Sequence, residues 1–109
     1  MKLSDLKAAL LSVSPNVFHY MAFEQPPPYI VYAEEGTTGR SLLADDKLAE
    51  RAITATVDLF TMHEDDPLFG KIEDALRGID CGWRWNSVQY EDVTKYIHHE
   101  WVVVYAETR

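Results

Sequence analysis

The sequence predicts an α+β fold: a single domain over residues 1–109, built as a two-layer sandwich. A mostly antiparallel sheet of about four strands carries two helices packed on one face, in the order α-β-β-α-β-β. Three observations predict it. Ile53, Ala55, Val57 and Leu59 alternate with Thr54, Thr56, Asp58 and Phe60, the period-two pattern of a strand with one buried face. Immediately afterwards Leu68, Phe69, Ile72, Ala75, Leu76 and Ile79 form one helical stripe. Hairpin-like strand pairs then lie on either side of that helix, which favours an antiparallel arrangement over a parallel one.

The elements follow in order. Ser4 to Val13 reads as a helix with Ser4 as N-cap and Leu6, Ala9, Leu10 and Val13 on one side. Ser14-Pro15-Asn16 ends it. Val17 to Phe23 alternates as a strand. Gln25-Pro26-Pro27-Pro28 is a stiff lead-in to Tyr29-Ile30-Val31-Tyr32-Ala33, which is rich in strand formers. Residues 34–51 hold few large apolar side chains and read as a long mobile loop, with room for a short strand or turn near Ser41–Asp46. The central strand and helix come next. Asp65 or Asp66 is placed to cap the helix, Pro67 suits its first turn, and Gly78 is placed to end it in the left-handed conformation. Trp83 to Tyr90 is a strand with Trp83 and Trp85 on one face and Val88 and Tyr90 on the other. Tyr96 to Ala106 is the last strand, with Val102-Val103-Val104-Tyr105 pointing to burial on both faces of part of it.

Composition narrows the function. The chain is 47% hydrophobic and 12% aromatic, enough to fill a core. The formal net charge is −8, and the densest excess is Asp58, Glu64, Asp65 and Asp66, with no basic residue among positions 52–66. Proteins that grip nucleic acid by neutralising phosphates are basic, so a DNA-binding module is disfavoured. No apolar run has the length of a membrane span, and the first residues lack the core of a signal peptide, so neither a membrane nor export is expected. Cys81 is the single cysteine, so an internal disulfide or a multi-cysteine zinc site is excluded and a reducing compartment expected.

Candidate chemistry is sparse. His98-His99-Glu100, with His63 and Glu64, offers metal-ligating types. Adjacent strand residues point to opposite faces, however, so His98 and His99 do not converge on one ion, whereas His98 and Glu100 share a face. Cys81 has Asp80 beside it but no evident histidine base. Gly36-Thr37-Thr38-Gly39 lacks the lysine of a phosphate loop, and no nucleophile elbow or dinucleotide fingerprint occurs. The aromatic residues could stack bases, but the cationic groove of that mode is missing. The expectation is no catalytic residue, no metal and no cofactor. Aromatic-rich strands, a long loop and an acidic face suit a subunit that assembles.

One family shares this arrangement. Pro28-Tyr29-Ile30-Val31-Tyr32, the loop, Val57-Asp58-Leu59-Phe60-Thr61, Asp66-Pro67 opening a helix with Ile72 and Leu76, then Trp85, Tyr90-Glu91 and Glu100-Trp101-Val102-Val103-Val104-Tyr105 run in sequence. In this pattern the chain resembles the tail-completion, or tail-terminator, proteins of long-tailed bacteriophages and prophages. The Trp83/Trp85 pair and the His98-His99 pair lie outside the family pattern. The resemblance implies a non-enzymatic structural protein of the virion tail, assembled in the host cytoplasm. It implies a self-assembled ring, hexameric, at the head-proximal end of the tail. The ring ends tube growth, meets the tail-tube and head-completion proteins, and lets DNA pass without specific binding. An acidic lumen would keep DNA from sticking. On that reading Asp58, Glu64, Asp65 and Asp66 line the lumen. Glu34, Glu35, Thr37, Thr38, Arg40, Leu42 and Leu43 form the loop that contacts a partner or neighbouring subunit. The alternative is a small cytoplasmic acidic binding or regulatory protein of bacterial origin.

Overall fold

The computed structural model describes residues 1–42 and 50–107. The elements are α1 (Leu3–Leu11), β1 (Val17–His19), β2 (Tyr29–Leu42), β3 (Glu50–Thr61), α2 (Leu68–Arg77), β4 (Gly82–Tyr90) and β5 (Ile97–Ala106). The α+β class and the antiparallel pairing of β2 with β3 and of β4 with β5 agree with the sequence. The sheet has five strands, not four, in the order β1-β2-β3-β5-β4, and it is mixed because the short β1 runs parallel to β2.

The alternation in β3 does what its pattern requires. Ala55, Val57 and Leu59 are fully buried, and the same face of the sheet continues through Ile30 and Tyr32 of β2 and Trp101, Val103 and Tyr105 of β5. Leu6 and Leu10 of α1 and Ile72 and Leu76 of α2 close over it, so both helices share one face and one core. Each fully buried side chain of this size contributes about 1.5–3 kcal/mol relative to exposure. The indole of Trp101 is sealed in this core, and its Nε1–H is satisfied by the Glu73 carboxylate at 2.9 Å.

Several local expectations are corrected. The expected strand Val17–Phe23 stops at His19, because Tyr20 turns into the left-handed region with φ 70°. Helix α1 begins at Leu3, so Ser4 is inside it. The cap is made instead by the Asp5 carboxylate, which accepts from the Lys2 backbone N–H at 2.8 Å. Gly78 ends α2 but in a right-handed conformation, φ −83° and ψ −5°. The Gly78 N–H closes the last turn on the Ala75 carbonyl and the Ile79 N–H on the Leu76 carbonyl, so no left-handed residue is needed. Val88 and Tyr90 do not face away from Trp83 and Trp85. A register shift between Trp85 and Ser87 inserts one residue, and the alternation changes phase across Asn86. Trp83, Trp85, Val88 and Tyr90 therefore oppose Val103, Trp101, His99 and Ile97, all on the helix side.

The largest correction concerns the expected loop at 34–51. Glu34 to Leu42 belongs to β2 and Glu50–Arg51 to β3. The pairing runs from Tyr29↔Phe60 to Leu42↔Glu50, with register shifts between Glu34 and Gly36 and between Thr37 and Ser41. Gly36 sits at the first irregularity with φ +142°, which a side chain would strain. Glu35, Gly36 and Thr37 are exposed, so this part of the strand lacks the apolar alternation that one-sided burial writes into a sequence.

A candidate binding cleft on the open face of the sheet

The face turned away from the helices is neither bare nor purely polar. The pairing places Tyr29 and Val31 of β2, Asp58 and Phe60 of β3, and His98 and Glu100 of β5 on it. Rings cross the strands in a row. Tyr29 and Phe60 stack with centroids 4.8 Å apart, and Phe60 and His98 with centroids 4.2 Å apart. Tyr96 and Phe18 meet Tyr29 edge-on.

His98 Nε2 lies 2.6 Å from Asp58 Oδ1, and the two side chains are only 23% and 15% exposed. The hydrogen bond to Asp58 holds the imidazole pKa above its ordinary 6.5. Burial opposes this, and the charges of Asp58, Glu91 and Glu100 add to it. Glu100 accepts from the Asn86 amide at 2.8 Å, and Arg84 in turn donates to Asn86 Oδ1. The bulge residue thus links β4 to the floor of this face.

These side chains form the floor of a cleft of about 450 Å³, within the range of ligand sites. The segment after β1 supplies its wall through Tyr20, Met21 and Ala22. That segment is bracketed by two non-glycine residues in the left-handed region, Tyr20 (φ 70°) and Glu24 (φ 45°). It leaves Met21 57% and Phe23 76% exposed. Glu34 anchors the start of the segment. It accepts from the Tyr20 hydroxyl and lies 2.7 Å from His19 Nε2, and the Tyr20 bond lowers its pKa first.

The predicted site residues are divided by the fold. Asp58 is engaged with His98 on the open face. Asp66 accepts from Thr61 Oγ1 at 2.7 Å and from the Leu68 N–H at 2.9 Å, closing the turn after β3. The N-cap position of α2 is Pro67, not Asp65 or Asp66, and Asp66 only meets the first N–H of the helix from outside it. Glu64 and Asp65 are exposed in that turn, where Met62, His63 and Pro67 join them around a shallow hollow. Glu34 ties β1 to β2, while Glu35 and Thr37 are exposed on β2. Thr38, Arg40 and Leu42 lie along the same strand, and Leu43 lies outside the described residues.

The remaining candidates separate as well. His98 and His99 face opposite sides of the sheet. His99 packs on Phe69 (4.9 Å) and Trp101 (6.1 Å) beneath α2. Burial, then the charge of His98, lowers its pKa, and its Nδ1 is buried without a hydrogen-bond partner. The half-buried Cys81 thiol donates to the Leu76 carbonyl at 3.6 Å. Burial, then Asp80, pushes its pKa up, so it is no ready thiolate. Among the described residues no three His, Cys, Asp or Glu side chains converge as a metal site. No helix there is long and apolar enough to cross a membrane. Sequence reasoning placed His98 and Glu100 on one face but missed Asp58 as their neighbour, which requires the β3–β5 register.

The chain matches no protein-family model and no curated protein sequence.

Proposed function

We propose that this protein is a structural assembly subunit of the tail-completion or tail-terminator class, working in a bacteriophage or prophage tail as a ring of identical copies. The observation that carries this reading is the outer edge of β2. From Ala33 to Leu42 it has no strand neighbour among the described residues, because β1 pairs only with Ile30, Val31 and Tyr32. A long unpaired edge is a template for strand addition by another chain. Exposed Tyr20, Met21 and Phe23 lie at the same side of the sheet and supply apolar anchors of the kind interfaces use. The partners of such a ring are the tail tube on one side and the head-completion protein on the other. Of the four carboxylates assigned to the lumen, Glu64 and Asp65 are the two whose exposure suits facing passing DNA, since Asp58 and Asp66 serve internal bonds.

A small acidic binding or regulatory protein is the second reading, favoured by the net charge of −8. Light scattering and negative-stain imaging, with and without the tail-tube protein of the same phage, decide between them. The expected result is rings or tubes capped at one end. A discrete monomer or dimer that leaves tube length unchanged rejects the tail reading. Replacing Thr37 with proline removes one donor from the β2 backbone and is expected to reduce ring formation.

A further inference from the structure

The open-face cleft is a cavity that the assembly reading leaves unused. Its floor combines the Phe60 and Tyr29 rings with the carboxylates of Asp58 and Glu100, and Glu91 lies close enough to act on His98. Against these three acids stands one imidazole. No lysine or arginine is among its lining residues. Arg84, which lies on this face, is held by Asn86. Carboxylates set between apolar walls focus a negative potential into the cleft. Phe60 is stacked between Tyr29 and His98, so it lines the floor with its edge rather than a face. The thioether of Met21 and the Tyr20 ring extend the wall with soft apolar surface, suited to a methylene stem.

We propose that this cleft receives an arginine side chain, flanked by apolar residues, from a partner polypeptide. The guanidinium sits against Glu100 and the Asp58 edge, and its stem lies along Met21 and the edge of Phe60. The proposal goes beyond the tail reading and does not depend on ring formation. Rings without arginine binding, or arginine binding without rings, each tell against one of the two readings alone.

The test is a titration of the full isotope-labelled chain with acetyl-Leu-Arg-Leu-amide, followed by amide NMR. Its counterpart carrying citrulline in place of arginine serves as control. The arginine peptide is expected to shift Tyr29, Phe60, His98 and Glu100 saturably, and the citrulline peptide to bind about tenfold more weakly. Glu100→Gln, which alters a partly exposed side chain, is expected to weaken binding about threefold. Asp58→Asn is expected to weaken it as well, with retained amide dispersion showing that this variant folds. Equal binding of the two peptides, shifts confined to other surfaces, or an unchanged affinity of Glu100→Gln overturns the proposal. Shifts at the cleft that follow the protein's own concentration, with no response to peptide, assign the cleft to a second copy of the chain and overturn it too.

Discussion

His98 and His99 are consecutive residues of one strand, yet they live in opposite environments. His99 is under α2 among Phe69, Trp85 and Trp101, with its pKa lowered by burial. His98 stands on the other face, stacked on Phe60 and bonded to Asp58, with its pKa raised by that bond. The difference belongs to the two faces rather than to the residues. The helix side is stabilised by excluding water from apolar surface. The open side is stabilised by pairing polar groups in a row of rings, and it retains concave space.

Substitutions on the two faces should separate in size. Leu76→Ala, in the fully buried core, is expected to lose about 3 kcal/mol in a urea unfolding curve. A loss below about 1 kcal/mol would mean that the helix side is less tightly packed than its burial indicates. Asp58→Asn removes the carboxylate charge while leaving an amide oxygen that can accept from the partly exposed imidazole, and is expected to lose about 1 kcal/mol.

The histidines then give slopes of opposite sign. The raised His98 pKa contributes stability that is complete below 6.5 and is lost as pH rises through its folded value. The lowered His99 pKa contributes stability that is complete above 6.5 and is lost as pH falls through its folded value. Unfolding midpoints measured across this range should therefore fall less steeply with rising pH in His98→Gln, and less steeply with falling pH in His99→Gln. Identical profiles for the two variants would erase the distinction between the faces. The smallest effect is expected at Gly78→Ala. A Cβ there meets the Ala75 carbonyl at 3.4 Å and the Asp74 carbonyl at 3.8 Å, and the backbone is right-handed, so the unfolding free energy should change by no more than about 0.5 kcal/mol.

The same contrast governs what the sequence disclosed. The helix side was legible because burial writes a period into the chain: Ala55, Val57 and Leu59 at every second position, Leu68, Ile72 and Leu76 at helical spacing. The extension of β2 beyond Ala33 was not legible, because Glu34, Glu35 and Thr37 take strand geometry from their pairing with β3 and not from a pattern of their own. The cleft was half legible. Period two placed His98 with Glu100, but Asp58 is 40 positions away from His98, and only the strand register joins them. The phase change at Asn86 left no trace in the hydrophobic pattern, since either phase keeps apolar residues in β4.

That inserted residue gives the sheet a direction. β4 is one outer strand, and its kink at Asn86 makes it a poor surface for a further strand to join. The opposite margin, along β2, is long and lacks a neighbour from Ala33 onward among the described residues. The two margins are therefore not equivalent. Two copies meeting through β2 on both sides would form an isologous pair, whereas β2 meeting another surface of the next copy would give the heterologous contact that closes on itself when the rotation allows.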